Sequence, residues 1–138
     1  MAKEQSVVLV KPDGLQRGLL GEMVSRFERK GLKLVAVKMM RLTDEILDHW
    51  YEHHKDKDFF DELKSFMKSA PIVAMLWQGV EAVAVVRKLC GTTSGREAEA
   101  GSSVDNAARE RKLIFKDGEI IDWESAAEAL VYSAAERS

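Results

Sequence analysis

SVVLVKPDGLQRG, residues 6–18, is the stretch that decides how the chain begins to fold. Residues 6–10 are a short β-branched run, which predicts a buried strand. The run stops at residues 11–14, where a proline with a fixed φ precedes a permissive glycine, a pattern typical of a turn. From residue 18 to residue 30, apolar side chains recur at helical spacing, and Gly31 stands where a glycine commonly ends a helix.

The remaining segments continue this alternation of strands and helices. Thr43 and the two acidic residues after it predict a helix start, because a hydroxyl caps the helix and acids favour its positive end. Pro71 opens a predicted strand, and Gly79 precedes a predicted helix. The sequence predicts strands at 6–10, 32–42 and 72–77, helices at 18–30, 43–54, 59–67, 80–90 and 103–115, a loop at 92–102, a turn at 116–118 and a helical tail after 123. Interleaved strands and helices of this kind predict an α/β sandwich.

Composition bounds the class of protein. A chain of 138 residues that is 46% hydrophobic predicts a single domain spanning residues 1–138. The balance of 21 basic and 23 acidic residues argues against broad electrostatic binding to nucleic acid or to a membrane. A single cysteine, Cys90, excludes an internal disulfide. With no signal peptide and no apolar run of roughly 18 residues, we expect a cytoplasmic protein.

Lys11 is the first candidate for chemistry. It ends a predicted strand beside a tight turn, with Arg17 nearby. A lysine in this position can extend into a pocket as a point charge for phosphate. On spacing alone, an ordinary surface lysine is the favoured interpretation, because lysines at strand ends are common.

Residues 10–18, VKPDGLQRG, resemble the N-terminal signature of the nucleoside diphosphate kinase family. The likeness extends through RFERKGLK, YEHHK with the following FF, SAPIVAM and VRKLCGTT, and it resumes at residues 103–115. The resemblance implies a ferredoxin-like antiparallel sheet covered by helices. It therefore specifies an α/β (α+β) sandwich.

The resemblance also implies a nucleotide pocket. Phe59 would stack on the base, and Tyr51 would line the phosphate side near Lys11. Lys11 itself would contact the sugar hydroxyl and the transferred phosphate, while Arg87 and Thr93 would hold the phosphates. Taken singly, each side chain is better explained as core packing or a solvated charge. Taken jointly, at the family's spacing, they favour the pocket.

One part of the family pattern is missing from these 138 residues. In the family, the loop after residues 91–93 leads into a fourth strand that carries the catalytic histidine. Here residues 100–102 run directly into 103–110, so about twenty residues are absent, several times a typical short connection. Glu110 matches the family glutamate that orients the catalytic histidine. His49, His53 and His54 lie near Tyr51, and a packing or solvated role is favoured for each.

The implied reaction is transfer of the γ-phosphate of a nucleoside triphosphate to a nucleoside diphosphate, by a ping-pong route through a phosphohistidine. The implied cofactor is Mg²⁺, bound through the nucleotide phosphates. The implied partners are ATP, nucleoside diphosphates and further copies of the chain in a hexamer or tetramer, with no membrane and no specific nucleic acid.

Three explanations of the missing histidine stay open. In the first, the polypeptide contains a segment that the 138 residues omit, and it is an ordinary kinase. In the second, the gene encodes a deletion, and the product is a pseudoenzyme that binds nucleotide or assembles with active subunits. Alternatively, the deletion was engineered. Loss of a whole strand would expose backbone groups of its neighbour in a marginally stable domain, which favours the first explanation.

Overall fold

The computed structural model describes residues 3–52, 60–90 and 104–124, and it gives no side-chain detail at 90 and 104–107. Three strands form one sheet: β1 (Lys3–Val10), β2 (Lys33–Met40) and β3 (Ile72–Val80). Their order is β1-β3-β2, and both pairings are antiparallel. The fourth strand implied by the family resemblance is therefore not among the described residues.

Helices separate the strands along the chain. They are α1 (Pro12–Gln16), α2 (Leu20–Arg29), α3 (Asp44–Trp50), α4 (Phe60–Lys68), α5 (Ala82–Cys90) and α6 (Val104–Ile114), followed by a 3-10 turn at Asp117–Glu119. The predicted antiparallel sheet covered by helices is confirmed. None of the helices in the described ranges is long and apolar enough to cross a membrane. The loop predicted at 92–102 and the helical tail predicted after 123 lie outside the described residues, apart from residue 124.

Two local predictions at the first strand were wrong. β1 begins at Lys3 rather than at residue 6, because Lys3 pairs with Val80 of β3 although the segment is polar. The predicted turn at residues 11–14 is the beginning of helix α1. Pro12 occupies its first turn, where a backbone donor is not needed, and Leu15 N donates to Lys11 O at 3.0 Å.

The junction of β3 with α5 also differs from the prediction. Gly79 and Val80 continue the strand, paired with β1, so the helix predicted from residue 80 begins at Ala82. Glu81 makes the reversal with a φ of 57°, a conformation that is unfavourable for a side chain with a Cβ. The carboxylate of Glu4 accepts a hydrogen bond from Val83 N at 3.2 Å, which caps the start of α5.

Helices cover both faces of the sheet. On one face, α3, α4 and α6 bury Leu47, Met67 and Ile114 against strand residues that include Val7 and Leu76. On the other face, α2 and α5 bury side chains against Val8, Met75 and Trp77. The ring of Phe27 from α2 lies 5.2 Å from that of Trp77. The sheet is thus the middle layer of three, and each face carries its own apolar cluster.

Residues 119–123, named here the C-terminal strap, run along the open edge of β2. Ile121 N donates to Val35 O at 2.9 Å, and Trp123 Nε1 donates to Leu34 O at 2.8 Å. Lys33 is buried, and its ammonium donates to Trp123 O. The strap therefore supplies hydrogen-bond partners to an edge that the sheet leaves unpaired.

Candidate functional site

Tyr51 and Glu110 form a buried polar pair on the face covered by α3, α4 and α6. Tyr51 ends α3 and is 4% exposed, while Glu110 projects from α6 and is 5% exposed. Burial raises the pKa of Glu110 to about 7, an effect that the charge of Arg109 partly offsets. Burial, and then the charge of Glu110, raise the pKa of Tyr51 to about 12. The phenol therefore keeps its proton at neutral pH, while the carboxyl group is poised between its two forms.

Arg109 holds the end of α3 against α6. Its Nη1 donates to His49 O at 3.0 Å and to Glu52 Oε2 at 2.9 Å. These two contacts lie on either side of Tyr51 in the sequence. A guanidinium also suits the C-terminus of α3, because the helix dipole is negative there. Arg109 thereby fixes the turn that carries Tyr51.

Lys11 follows directly on β1, on the side of the sheet where Tyr51 lies. Its backbone is extended, with φ −66° and ψ 165°, so the alternation of the strand continues through it. Val7 and Leu9 face the cluster that contains Tyr51, and Lys11 is the next residue in that series. The side chain is half-buried. This location fits the predicted phosphate contact, which stays a prediction.

The described structure does not bring the other predicted pocket residues together with Tyr51. Arg87 is exposed in the last turn of α5, a helix that packs on the opposite face of the sheet from Tyr51. Phe59 and Thr93 lie outside the described residues. Their roles in binding base and phosphate stay predictions.

His49 is the one histidine in the part of the chain that is described. It is exposed on α3, and its Nδ1 lies 2.9 Å from Glu45 O in the preceding turn of the same helix. That nitrogen is engaged within the helix. His53 and His54 lie outside the described residues.

Sequence reasoning missed an ion-pair cluster that joins α3 to α4. Asp44 and Asp48 on α3 meet Lys64 and Lys68 on α4, at distances between 2.8 and 3.3 Å. The signal was present, because each pair is spaced four residues apart and therefore shares one face of its helix. Residue spacing does not reveal that the two faces meet.

Fold and site together define an α/β sandwich protein with a buried tyrosine–carboxylate pair beside a strand-end lysine. The family model described as "Nucleoside diphosphate kinase" matches residues 4–103. The chain belongs to the nucleoside diphosphate kinase family, whose members are phosphotransferases.

This chain aligns with known relatives along nearly their whole length. The nucleoside diphosphate kinase of Staphylothermus marinus is 48% identical over 141 residues, covering 89% of this chain and 100% of the relative. The structure of the Halobacterium salinarum enzyme in complex with CDP is 40% identical with a TM-score of 0.83, covering 95% of this chain and 99% of that one. A transition-state mimic of the Borrelia burgdorferi enzyme with bound vanadate and ADP is 30% identical with a TM-score of 0.81, covering 93% and 96%.

The aligned part of this chain is shorter than the Staphylothermus enzyme. The alignment spans 141 positions, whereas 89% of 138 residues is about 123, so about 18 positions of the relative have no counterpart here. The family match ends at residue 103, next to the place where the sequence predicted the missing strand. The shortage of about 18 positions agrees in size with the predicted absence of about twenty residues, and the place of that absence in the chain stays a prediction.

Proposed function

We propose that this protein is a nucleoside diphosphate kinase that transfers the γ-phosphate of a nucleoside triphosphate to a nucleoside diphosphate. Family membership, across nearly the whole length of several relatives, is the observation that carries the proposal. The structures of relatives with CDP, and with ADP and vanadate, give the chemical class of the substrates.

The nucleotide would be held by the five residues that the family resemblance implies. Lys11 contacts the sugar hydroxyl and the transferred phosphate, and Tyr51 lines the phosphate side. Phe59 stacks on the base, which tolerates any base, while Arg87 and Thr93 bind phosphate oxygens. The burial of Tyr51 and the position of Lys11 on the same face support this arrangement.

Phosphoryl transfer would proceed in two half-reactions. A neutral histidine nitrogen attacks the γ-phosphorus, a nitrogen–phosphorus bond forms, and the bond to the β–γ bridging oxygen breaks. The nucleoside diphosphate leaves with that electron pair. A second nucleoside diphosphate then takes the phosphoryl group from the phosphohistidine, which restores the free histidine. Glu110 orients the imidazole by accepting its N–H, as a buried carboxylate does well. The histidine belongs to the segment missing here, so turnover requires a polypeptide that contains it.

Magnesium would arrive with the substrate. In the ranges that the structure describes, no three His, Cys, Asp or Glu side chains form a group that could hold a metal ion. The oxygens of the nucleotide phosphates would hold the ion, since they are hard ligands of the kind that Mg²⁺ prefers. The ion would supply charge neutralisation during transfer.

The chain would act as a single cytoplasmic domain, residues 1–138, within a homo-oligomer, either a hexamer or a tetramer. Val37 and Met39 on β2 support self-association, because they are 55% and 66% exposed and point to the same face of the strand. The near-balanced charge supports the absence of membrane and nucleic-acid partners.

A nucleotide-binding pseudoenzyme is the second candidate. One observation favours it: the alignment with the Staphylothermus enzyme is about 18 positions longer than the aligned part of this chain. Such a protein would bind ADP without forming a phosphoenzyme.

Intact mass and phosphoenzyme formation separate the two candidates. One outcome establishes the kinase: the purified polypeptide is heavier than 15.5 kDa by the mass of about 18 residues, and γ-³²P-ATP labels it at histidine. A mass of 15.5 kDa with ADP binding but no label establishes the pseudoenzyme. Absence of both label and ADP binding refutes both candidates.

A further inference from the structure

The helices α3 and α4 flank the proposed pocket. Tyr51 directly follows α3, and α4 begins at Phe60. Tyr51 and Phe60 belong to the same buried cluster. The relative position of the two helices therefore sets the packing around Tyr51, which would line the phosphate side of the nucleotide.

Four charged side chains link these helices. Lys64 Nζ lies 2.9 Å from Asp48 Oδ1 and 3.3 Å from Asp44 Oδ1, and Lys68 Nζ lies 2.8 Å from Asp44 Oδ1. Lys64 and Asp44 each take part in two contacts, so the three contacts form one network rather than isolated pairs. We name these four residues the ionic clamp.

Lys64 is the central member of the clamp. Its side chain is only 18% exposed, and its ammonium also lies 5.3 Å from the ring centroid of Phe60, on the first turn of α4. Its contacts with Asp44 and Asp48 restrict the conformations that the lysine side chain can adopt. Hydrogen bonds from Lys68 and Lys64 hold the pKa of Asp44 below its usual value. Asp44 is therefore ionised at neutral pH.

We infer that the ionic clamp positions α4 on α3 and thereby sets nucleotide affinity in a salt-dependent way. The inference rests on the proposed function, because it concerns the same pocket. Asp44, Asp48, Lys64 and Lys68 are positioning residues that act through Tyr51 and the start of α4. Because the clamp lies near the surface, salt weakens it.

The test measures the affinity for Mg²⁺–ADP by calorimetry at 50 mM and 1 M NaCl. Lys64→Met keeps the apolar stem beside Phe60 and removes the charge. The paired swap exchanges the charges of all four residues, with Asp44→Lys and Asp48→Lys on α3 and Lys64→Asp and Lys68→Asp on α4, and so restores every contact with opposite polarity. Arg26→Met is the matched control, because Arg26 forms an equally short ion pair with Glu22 at 2.7 Å within α2, on the other face of the sheet.

We expect Lys64→Met to weaken ADP binding about three- to tenfold at low salt, the range that a few surface ion pairs supply. The ratio of wild-type to variant affinity should approach one at 1 M NaCl, because salt has then already weakened the clamp. The paired swap should recover most of the loss, and Arg26→Met should cause none. Amide hydrogen exchange should show faster exchange in α4 for Lys64→Met alone.

The failures are distinguishable. Equal ADP affinities in wild type and Lys64→Met overturn the inference and leave the proposed function intact. A loss that the paired swap does not recover, or that persists at 1 M NaCl, also overturns it, since the lysine then acts by packing. If the wild-type protein binds no ADP, the proposed function fails and the inference falls with it.

Discussion

Glu110 is the residue whose environment most affects the chemistry of the site. A carboxyl group with a folded pKa of about 7 binds more protons in the native state than in the unfolded state, where its value is 4.5. Stability therefore falls as the pH rises through this window, and the loss is complete above the folded pKa. The shift corresponds to roughly 3 kcal/mol.

We predict that Glu110→Gln stabilises the protein at pH 8 by about 1–3 kcal/mol, because a neutral amide avoids the cost of a buried charge. At pH 4.5 the two proteins should be nearly equally stable, since Glu110 is then protonated in the native state. Urea unfolding at the two pH values measures the difference. A variant that is less stable than wild type at pH 8 would contradict the assigned cause of the shift.

Among single residues, the sequence predicted those whose roles depend only on their neighbours in the chain. Thr43 accepts a hydrogen bond from Ile46 N at 3.2 Å as a helix cap, and Gly31 has a φ of 81°, as its place after a helix predicted. The burial of Glu110 and the contact of Arg109 with His49 O were beyond local reasoning, because the partners lie 60 residues apart in the second case. Resemblance identified Glu110, but it did not give its protonation state.

The junction between β3 and α5 is the element whose prediction failed most clearly. Gly79 indicated a helix start, yet pairing with β1 extends the strand to Val80. Strand register is a property of two segments, so the sequence of one segment does not fix where it ends. The chain then reverses at Glu81 in a left-handed conformation.

We predict that Glu81→Gly raises the free energy of unfolding by about 0.5–1 kcal/mol, because glycine adopts this conformation without the Cβ conflict. Thermal and urea denaturation measure the change. Glu22→Gly, in the first turn of α2, is the control, and it should lower stability by about 1 kcal/mol, because glycine is a poor helix former and the ion pair with Arg26 is also lost. A loss of stability in Glu81→Gly as well would mean that the glutamate side chain has a stabilising contact that outweighs the strain.

For the molecule as a whole, the proposed self-association would use the exposed residues Val37 and Met39 of β2. We predict that Met39→Lys reduces the oligomer to smaller species, because it places a charge in an apolar contact. Phe66→Lys is the matched control, since Phe66 is a 41% exposed apolar residue on α4 rather than on β2. Sedimentation velocity measures the mass of each variant. A monomeric wild type, or an equal effect of Phe66→Lys, would contradict the assignment of this face.

The architecture was predictable because hydrophobic periodicity and turn residues mark most of its elements. Residues 72–77 form a continuous apolar run, and they are the centre of β3, which pairs with both other strands. The strap was not predictable, because its contacts join residues about 90 positions apart and its own segment is short and mixed.

The strap has a consequence for the order of events during synthesis. Lys33 of β2 and its partner Trp123 are 90 residues apart in the sequence. β2 therefore leaves the ribosome long before Trp123 has been made. At roughly 5–20 residues per second, the interval is about 5–18 s. Throughout that interval the growing chain presents an uncovered strand edge, so nascent polypeptides on neighbouring ribosomes can pair with it, and slower translation lengthens their opportunity.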